Sequence, residues 1–259
     1  MQHQPSEEES LDRLTADWRI FQLRRGHRFS TDDTLTAWTA ARARPGSRRL
    51  LDLGAGIGSV GLLTLWRMPP DATLTMVEVQ EVSHKLARRT VALNGLEARV
   101  TLRHKDMRDP TALAGDAPYE LITGSPPYIP IGKGVISAHP QRAGARMELR
   151  GDVFDYCRAA ASVLASDGRF CLCHAAGDPR PEQAIAAAGL TLLARQDVIF
   201  RPRQAPTIAL FTCAWTGERA DLPPFVVRGE DSEWTDEYLK LREEMGTVVW
   251  RPSQPSDDT

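Results

Sequence analysis

Long apolar runs are missing from this chain. Nothing in it approaches the roughly 18 to 20 apolar residues that span a bilayer, and Met1 to Asp17 is too polar and acidic for a secretory leader. A cytosolic protein is the expectation. Cysteine is scarce as well: four in 259 residues cannot make a disulfide framework. Their only cluster, Cys171-Leu172-Cys173-His174, lies in an apolar, strand-like run, where alternation sends Cys171 and Cys173 to one face and His174 to the other. With no second ligand pair at suitable spacing, buried reduced thiols are expected there and no metal. An excess of either charge is also lacking, since the net charge is only −2. That argues against indiscriminate binding to a polyanion while leaving room for local patches.

What is present is the composition of an ordinary soluble fold, 42% hydrophobic and 25% charged. Apolar segments alternate between two periods. Strands are expected at Arg49 to Leu53, Thr73 to Glu78, Arg99 to Arg103, Tyr119 to Thr123 and Gly168 to His174, with helices between them. Ser30-Thr31-Asp32-Asp33 supplies N-cap candidates for a helix that Pro45-Gly46 ends. Two further strands, Leu190 to Phe200 and Thr207 to Trp215, are joined by a connection too short for a parallel crossover and should pair antiparallel. The expected fold is α/β, a doubly wound and mostly parallel sheet. We expect a flexible N-terminus over 1–17, one domain over 18–216, and a tail over 217–259 with a helix at about Trp234 to Met245.

Leu51-Asp52-Leu53-Gly54-Ala55-Gly56-Ile57-Gly58 lies where the first of these strands turns into a helix. Glycines there let the backbone turn tightly and approach a ligand at the positive end of a helix. Glu78 ends the next strand, where a carboxylate can accept both hydroxyls of an adenosine ribose. A nucleoside cofactor follows. Gly56 to Gly61 also fits the dinucleotide pattern G-x-G-x-x-G, so an NAD oxidoreductase is one reading. Asp52 favours S-adenosyl-L-methionine instead, because a carboxylate at that point repels a pyrophosphate and can help hold a cationic amino-acid end. Asp106-Met107, just after the third strand, suits an adenine amino group and ring face.

Taken with Gly26-His27-Arg28-Phe29-Ser30-Thr31-Asp32-Asp33 and Ser125-Pro126-Pro127-Tyr128, these residues give a resemblance from about Phe21 to Trp215. The chain resembles class I S-adenosylmethionine-dependent methyltransferases, and among them the bacterial valine-tRNA adenine-N6 methyltransferase family. The resemblance implies a Rossmann-like seven-stranded sheet with an antiparallel final strand. It also implies S-adenosyl-L-methionine as cofactor, tRNA as partner, and no membrane. Thr31, Asp32, Asp52, Gly54, Gly56, Gly58, Glu78, Asp106 and Met107 are then the cofactor-binding set, and Ser125, Pro126, Pro127 and Tyr128 the catalytic one.

The Pro-Pro-Tyr stretch suits that chemistry. An exocyclic adenine amine is a poor nucleophile, its lone pair being delocalised into the ring. Acceptors at the Ser125 side chain and the Pro126 carbonyl can each take one N–H and free that lone pair, while Tyr128 offers a ring for stacking. The family pattern has asparagine at Ser125, whose shorter hydroxyl puts substrate and rate in question. Candidate phosphate contacts are Arg24, Arg25, His27, Arg28, Lys133, Arg142, Arg146, Arg150, Arg201 and Arg203. Ile131 to Gly151 reads as a long loop beside the site. Two other functions fit the same residues: methylation of a protein glutamine amide, and RNA binding without catalysis on the same fold.

Overall fold

The structure, a computed structural model, describes residues 4–116, 118–130, 132 and 137–247. Its elements run β1 (Glu9–Thr15), β2 (Trp18–Leu23), α1 (Thr31–Ala43), β3 (Arg49–Leu53), α2 (Ser59–Trp66), β4 (Thr73–Glu78), α3 (Glu81–Leu93), β5 (Val100–His104), β6 (Tyr119–Gly124), α4 (Pro140–Arg146), α5 (Val153–Val163), β7 (Leu164–Ala175), α6 (Arg180–Ala187), β8 (Thr191–Ile199), β9 (Ile208–Ala214), β10 (Ala220–Asp221), β11 (Phe225–Val226) and α7 (Asp236–Glu244). Seven long strands lie side by side in the order β8-β9-β7-β6-β3-β4-β5, and β9 alone among them runs antiparallel to its neighbours. This is the doubly wound sheet with an antiparallel final strand that the alternating pattern and the terminal hairpin predict.

Helices cover both faces, so the central strands read as continuous apolar runs whose alternate residues feed different cores. Leu50, Leu74, Met76, Leu121, Cys171 and Cys173 pack with Leu35, Leu62 and Leu86 of the first three helices. Leu51, Leu53, Val77, Ile122, Phe170 and Leu172 pack instead with Val153, Cys157 and Ile185 of α5 and α6. The four cysteines are buried and unpaired, as the sequence implies.

Three segments differ from the sequence reading. Residues 9–15, expected to be flexible, pair with β2 as an antiparallel hairpin. Their polar side chains find distant partners: Glu9 meets Arg89 at 2.6 Å, and Asp12 meets Arg28 at 3.0 Å. The stretch after Pro130, expected to be loop, contains α4, with Pro140 at its start and a buried Gln141. Beyond residue 217, the unexpected elements are β10 and β11, each parallel to β8, while α7 is the helix expected at about Trp234 to Met245 and buries Tyr238 and Leu241. Thr15 and Ala16 bond to the carbonyls of Met245 and Gly246, so the hairpin and α7 hold each other. Lys133 and residues 248–259 lie outside the described residues.

Candidate active site

A cleft opens at the carboxyl edge of the sheet, the place where open α/β folds bind ligands. Its walls include Asp52, Gly54, Gly56, Glu78, Asp106, Met107, Ser125 and Pro127, so two distant sequence motifs share one space. At Gly54 the backbone is left-handed, φ +58°, and a Cβ would overlap the Tyr156 hydroxyl. Gly58 is also left-handed, φ 92°, and caps α2 with its own backbone. It faces Leu62 and Met76 rather than the cleft.

The acidic residues here are tied to the main chain. Glu78 is 4% exposed and accepts from the amides of Gly56 at 2.8 Å and Gln80 at 2.6 Å. Burial raises its carboxyl above the ordinary value despite those bonds. Asp52, 1% exposed, accepts from the Gly61 amide at 3.0 Å and the Thr123 hydroxyl at 2.7 Å. Desolvation pushes its carboxyl up to about 7. Asp106 is held by Arg108, which lowers its carboxyl.

Ser125 follows β6, and Gly124 pairs in register with Leu172 of β7. That register sets Ser125 beside Cys173, with Oγ to Sγ 3.4 Å. Tyr128 instead meets His174 edge-on at 5.9 Å between ring centres. The motif therefore straddles the end of β7, because Cys173 and His174 point to opposite faces. His174 has no exposure, and neither ring nitrogen has a hydrogen-bond partner among the described residues. Its pKa is lowered to about 4 by burial, although Asp178 lies 3.7 Å from Nδ1.

Thr31, Asp32, Gly58, Pro126 and Tyr128 stand outside the cleft walls. Thr31 turns towards α7, its hydroxyl 3.3 Å from that of Tyr238. Its neighbour Asp33 lines the cleft instead, accepting from the Ser59 hydroxyl at 2.7 Å. Sequence reasoning missed Asp33 and Tyr156 as wall residues. The capping box of α1 could have signalled Asp33, but nothing local marks Tyr156, which α5 brings from behind. Among the basic candidates, His27 and Arg150 also line the cleft. Arg28 is paired with Asp12, and Arg203 with Glu230 at 3.2 Å. Gln141 of α4 accepts from the His27 amide and donates to Ser83, while Arg142 donates to the Gly26 carbonyl, so α4 is tied to the basic loop at Gly26 and His27.

A profile of the methyltransferase small domain family matches residues 35–177, a span that holds the glycine loop, Glu78 and the Pro-Pro-Tyr motif. The chain belongs to that family. It is a methyltransferase by that membership. It is similar to the tRNA1(Val) (adenine(37)-N6)-methyltransferase of Cronobacter sakazakii, 27% identical over 76% of this chain and 80% of the relative. The protein of the same name from Tolumonas auensis is 26% identical over 88% of this chain and 93% of the relative. Among solved structures, a predicted O-methyltransferase from Agrobacterium tumefaciens superimposes with a TM-score of 0.61 at 21% identity, covering 84% of this chain and 98% of its own. That last likeness shows the shared fold.

Proposed function

We propose that the protein transfers a methyl group from S-adenosyl-L-methionine to the exocyclic N6 amine of an adenine in RNA, most plainly a tRNA. The observation that carries this reading is that Ser125, at the end of β6, lines the same cleft as the glycine loop and Glu78. Donor and acceptor pockets thus meet at one sheet edge. Relatives named for adenine-N6 methylation of tRNA1(Val) support the choice of acceptor.

The residues present fit the cofactor. A Cβ at Gly56 would meet nothing within 4 Å, so the loop leaves room for a ligand against its backbone. Asp33, Asp52, Glu78 and Asp106 outnumber Lys105 and Arg150 among the lining side chains, a balance that favours a cation over a pyrophosphate. Glu78 would take the ribose hydroxyls on lone pairs left over from Gly56 and Gln80. Asp106 and Met107 would meet the adenine edge and face, and Asp52 with Asp33 the amino-acid end. Bound there, S-adenosyl-L-methionine supplies a methyl group activated on a sulfonium.

The chain's own part is to orient the acceptor. The Ser125 hydroxyl oxygen and, from just outside the wall between Ser125 and Pro127, the Pro126 carbonyl would take the two amine hydrogens, which turns the nitrogen lone pair outward. Tyr128, backed by the edge of His174, stacks on the base. Arg24 and Arg25 on the loop beside α4 contact phosphates and position the strand. The test is to incubate the protein with radiolabelled S-adenosyl-L-methionine and separate RNA, DNA and protein pools. Label in N6-methyladenosine of the RNA pool is expected. Label confined to protein glutamine would replace the acceptor, and label in no pool would leave RNA binding without catalysis.

A further inference from the structure

Sheet register sets three residues in a row along the carboxyl edge. Leu53 pairs with Val77 on one side and with Gly124 on the other, so the residues that follow them, Glu78, Gly54 and Ser125, come next to one another in that order. Neighbouring strands lie about 4.8 Å apart. Gly54 therefore stands between the carboxylate that suits a ribose and the hydroxyl that suits an acceptor amine.

A side chain from another element fills the place beside it. Tyr156 of α5 lies across two glycines: a Cβ at Gly124 would come within 2.8 Å of its ring, and a Cβ at Gly54 would overlap its hydroxyl. The two bare backbones form a slot that holds the ring, while Tyr156 itself is part of the cleft wall. It is 4% exposed, and its hydroxyl has no hydrogen-bond partner among the described residues. Burial above all, and then the carboxylates of Glu78 and Asp52, raise its pKa well above the ordinary value, so the phenol stays neutral. With one proton, two lone pairs and no fixed partner, such a hydroxyl turns its oxygen to a cation and its proton to an anion.

The sulfur of S-adenosyl-L-methionine carries three groups: the ribose side, the amino-acid chain and the methyl. With the ribose at Glu78 and the methyl aimed at Ser125, the sulfur falls between them, at Gly54. It is a cation before methyl transfer and a neutral thioether afterwards. Resting on the cofactor reading above, we infer that the Tyr156 hydroxyl oxygen faces this sulfonium, touching the polarised C–H groups beside it, and so distinguishes the charged methyl donor from the neutral product. The attraction ends when the charge does. Spent cofactor is then held less firmly than fresh.

Binding calorimetry tests this without turnover, comparing the wild type with Tyr156→Phe, which keeps the ring in its slot. Three ligands are used: S-adenosyl-L-methionine, its neutral product S-adenosyl-L-homocysteine, and sinefungin, which carries an ammonium in place of the methylated sulfur. Loss of the hydroxyl should weaken S-adenosyl-L-methionine about 3- to 5-fold, the worth of weak C–H contacts to oxygen. Sinefungin should weaken about 10-fold or more, because its ammonium donates a charge-assisted hydrogen bond. The neutral product should change less than about 1.5-fold, since it offers no charge for the oxygen to meet. Equal weakening of all three ligands makes Tyr156 a packing residue and overturns the inference, as does no change in any. Tighter binding of the two cations means that the proton faces the ligand, and overturns it as well. If the wild type binds none of the three, the cofactor reading itself falls, and the inference with it.

Discussion

The two halves of the cleft are built differently. On the glycine-loop side the carboxylates of Asp52 and Glu78 are held by backbone amides, and a Cβ at Gly54 would strike a side chain. On the Pro-Pro-Tyr side the contacts are a sulfur, a ring edge and an imidazole with no hydrogen-bond partner among the described residues. Main-chain donors fix their partners in one place, while ring edges and sulfur tolerate small shifts. The first half suits a ligand that is always the same, the second an acceptor that must enter and leave.

The halves also respond to pH with opposite sign, and single substitutions should separate them. Asp52 has a raised pKa of about 7, so the folded state binds its proton more tightly than the unfolded chain does. Its contribution to stability is present below about pH 4 and is lost as pH rises through 7. Relative to Asp52→Asn, the wild type should therefore lose up to about 4 kcal/mol between pH 4 and 8, measured by urea unfolding. His174, lowered to about 4, behaves the other way: its contribution is present above about pH 6.5 and is lost as pH falls through 4. Relative to His174→Phe, the wild type should lose about 3 kcal/mol over that fall. Parallel pH profiles for wild type and both variants would remove the contrast.

Smaller effects sharpen the functional side. Glu78→Ala should weaken S-adenosyl-L-methionine binding by about 1–3 kcal/mol in calorimetry, since it removes the proposed ribose acceptors and strands two amides. It should leave the affinity for RNA nearly unchanged. Neutralising Arg24 with Arg25 should do the converse. The slope of log RNA affinity against log salt should flatten by about 1.4 to 1.8, with cofactor binding intact. An unchanged slope would make these arginines a solvated face.

Much of the frame was legible because the signals were local. A strand, a run of glycines and an acidic residue at the next strand's end identify one sheet edge, and the carboxyl end of β6 brings Ser125 to the same edge. What escaped was carried by partners far away in sequence. The hairpin of β1 and β2 shows no clean alternation, since Glu9 and Asp12 are satisfied by Arg89 and Arg28. Tyr156 reaches the glycine loop from α5, some hundred residues later, and one ordinary tyrosine in an alanine-rich helix carries no mark of it. The short α4 hides because Pro140 and Gly144 look like loop residues. Its Gln141 becomes informative only when Ser83 and the His27 amide are seen around it.

The bond from Thr15 to the Met245 carbonyl, with that from Ala16 to Gly246, spans 230 residues of sequence. During synthesis the first hairpin emerges long before the helix that fastens it, and loop closure over such a distance is slow. The sheet can therefore assemble while its opening segment waits, and this fastening should be the last to form. In refolding experiments, protection of the Ala16 amide against hydrogen exchange should lag behind that of β3 and β4.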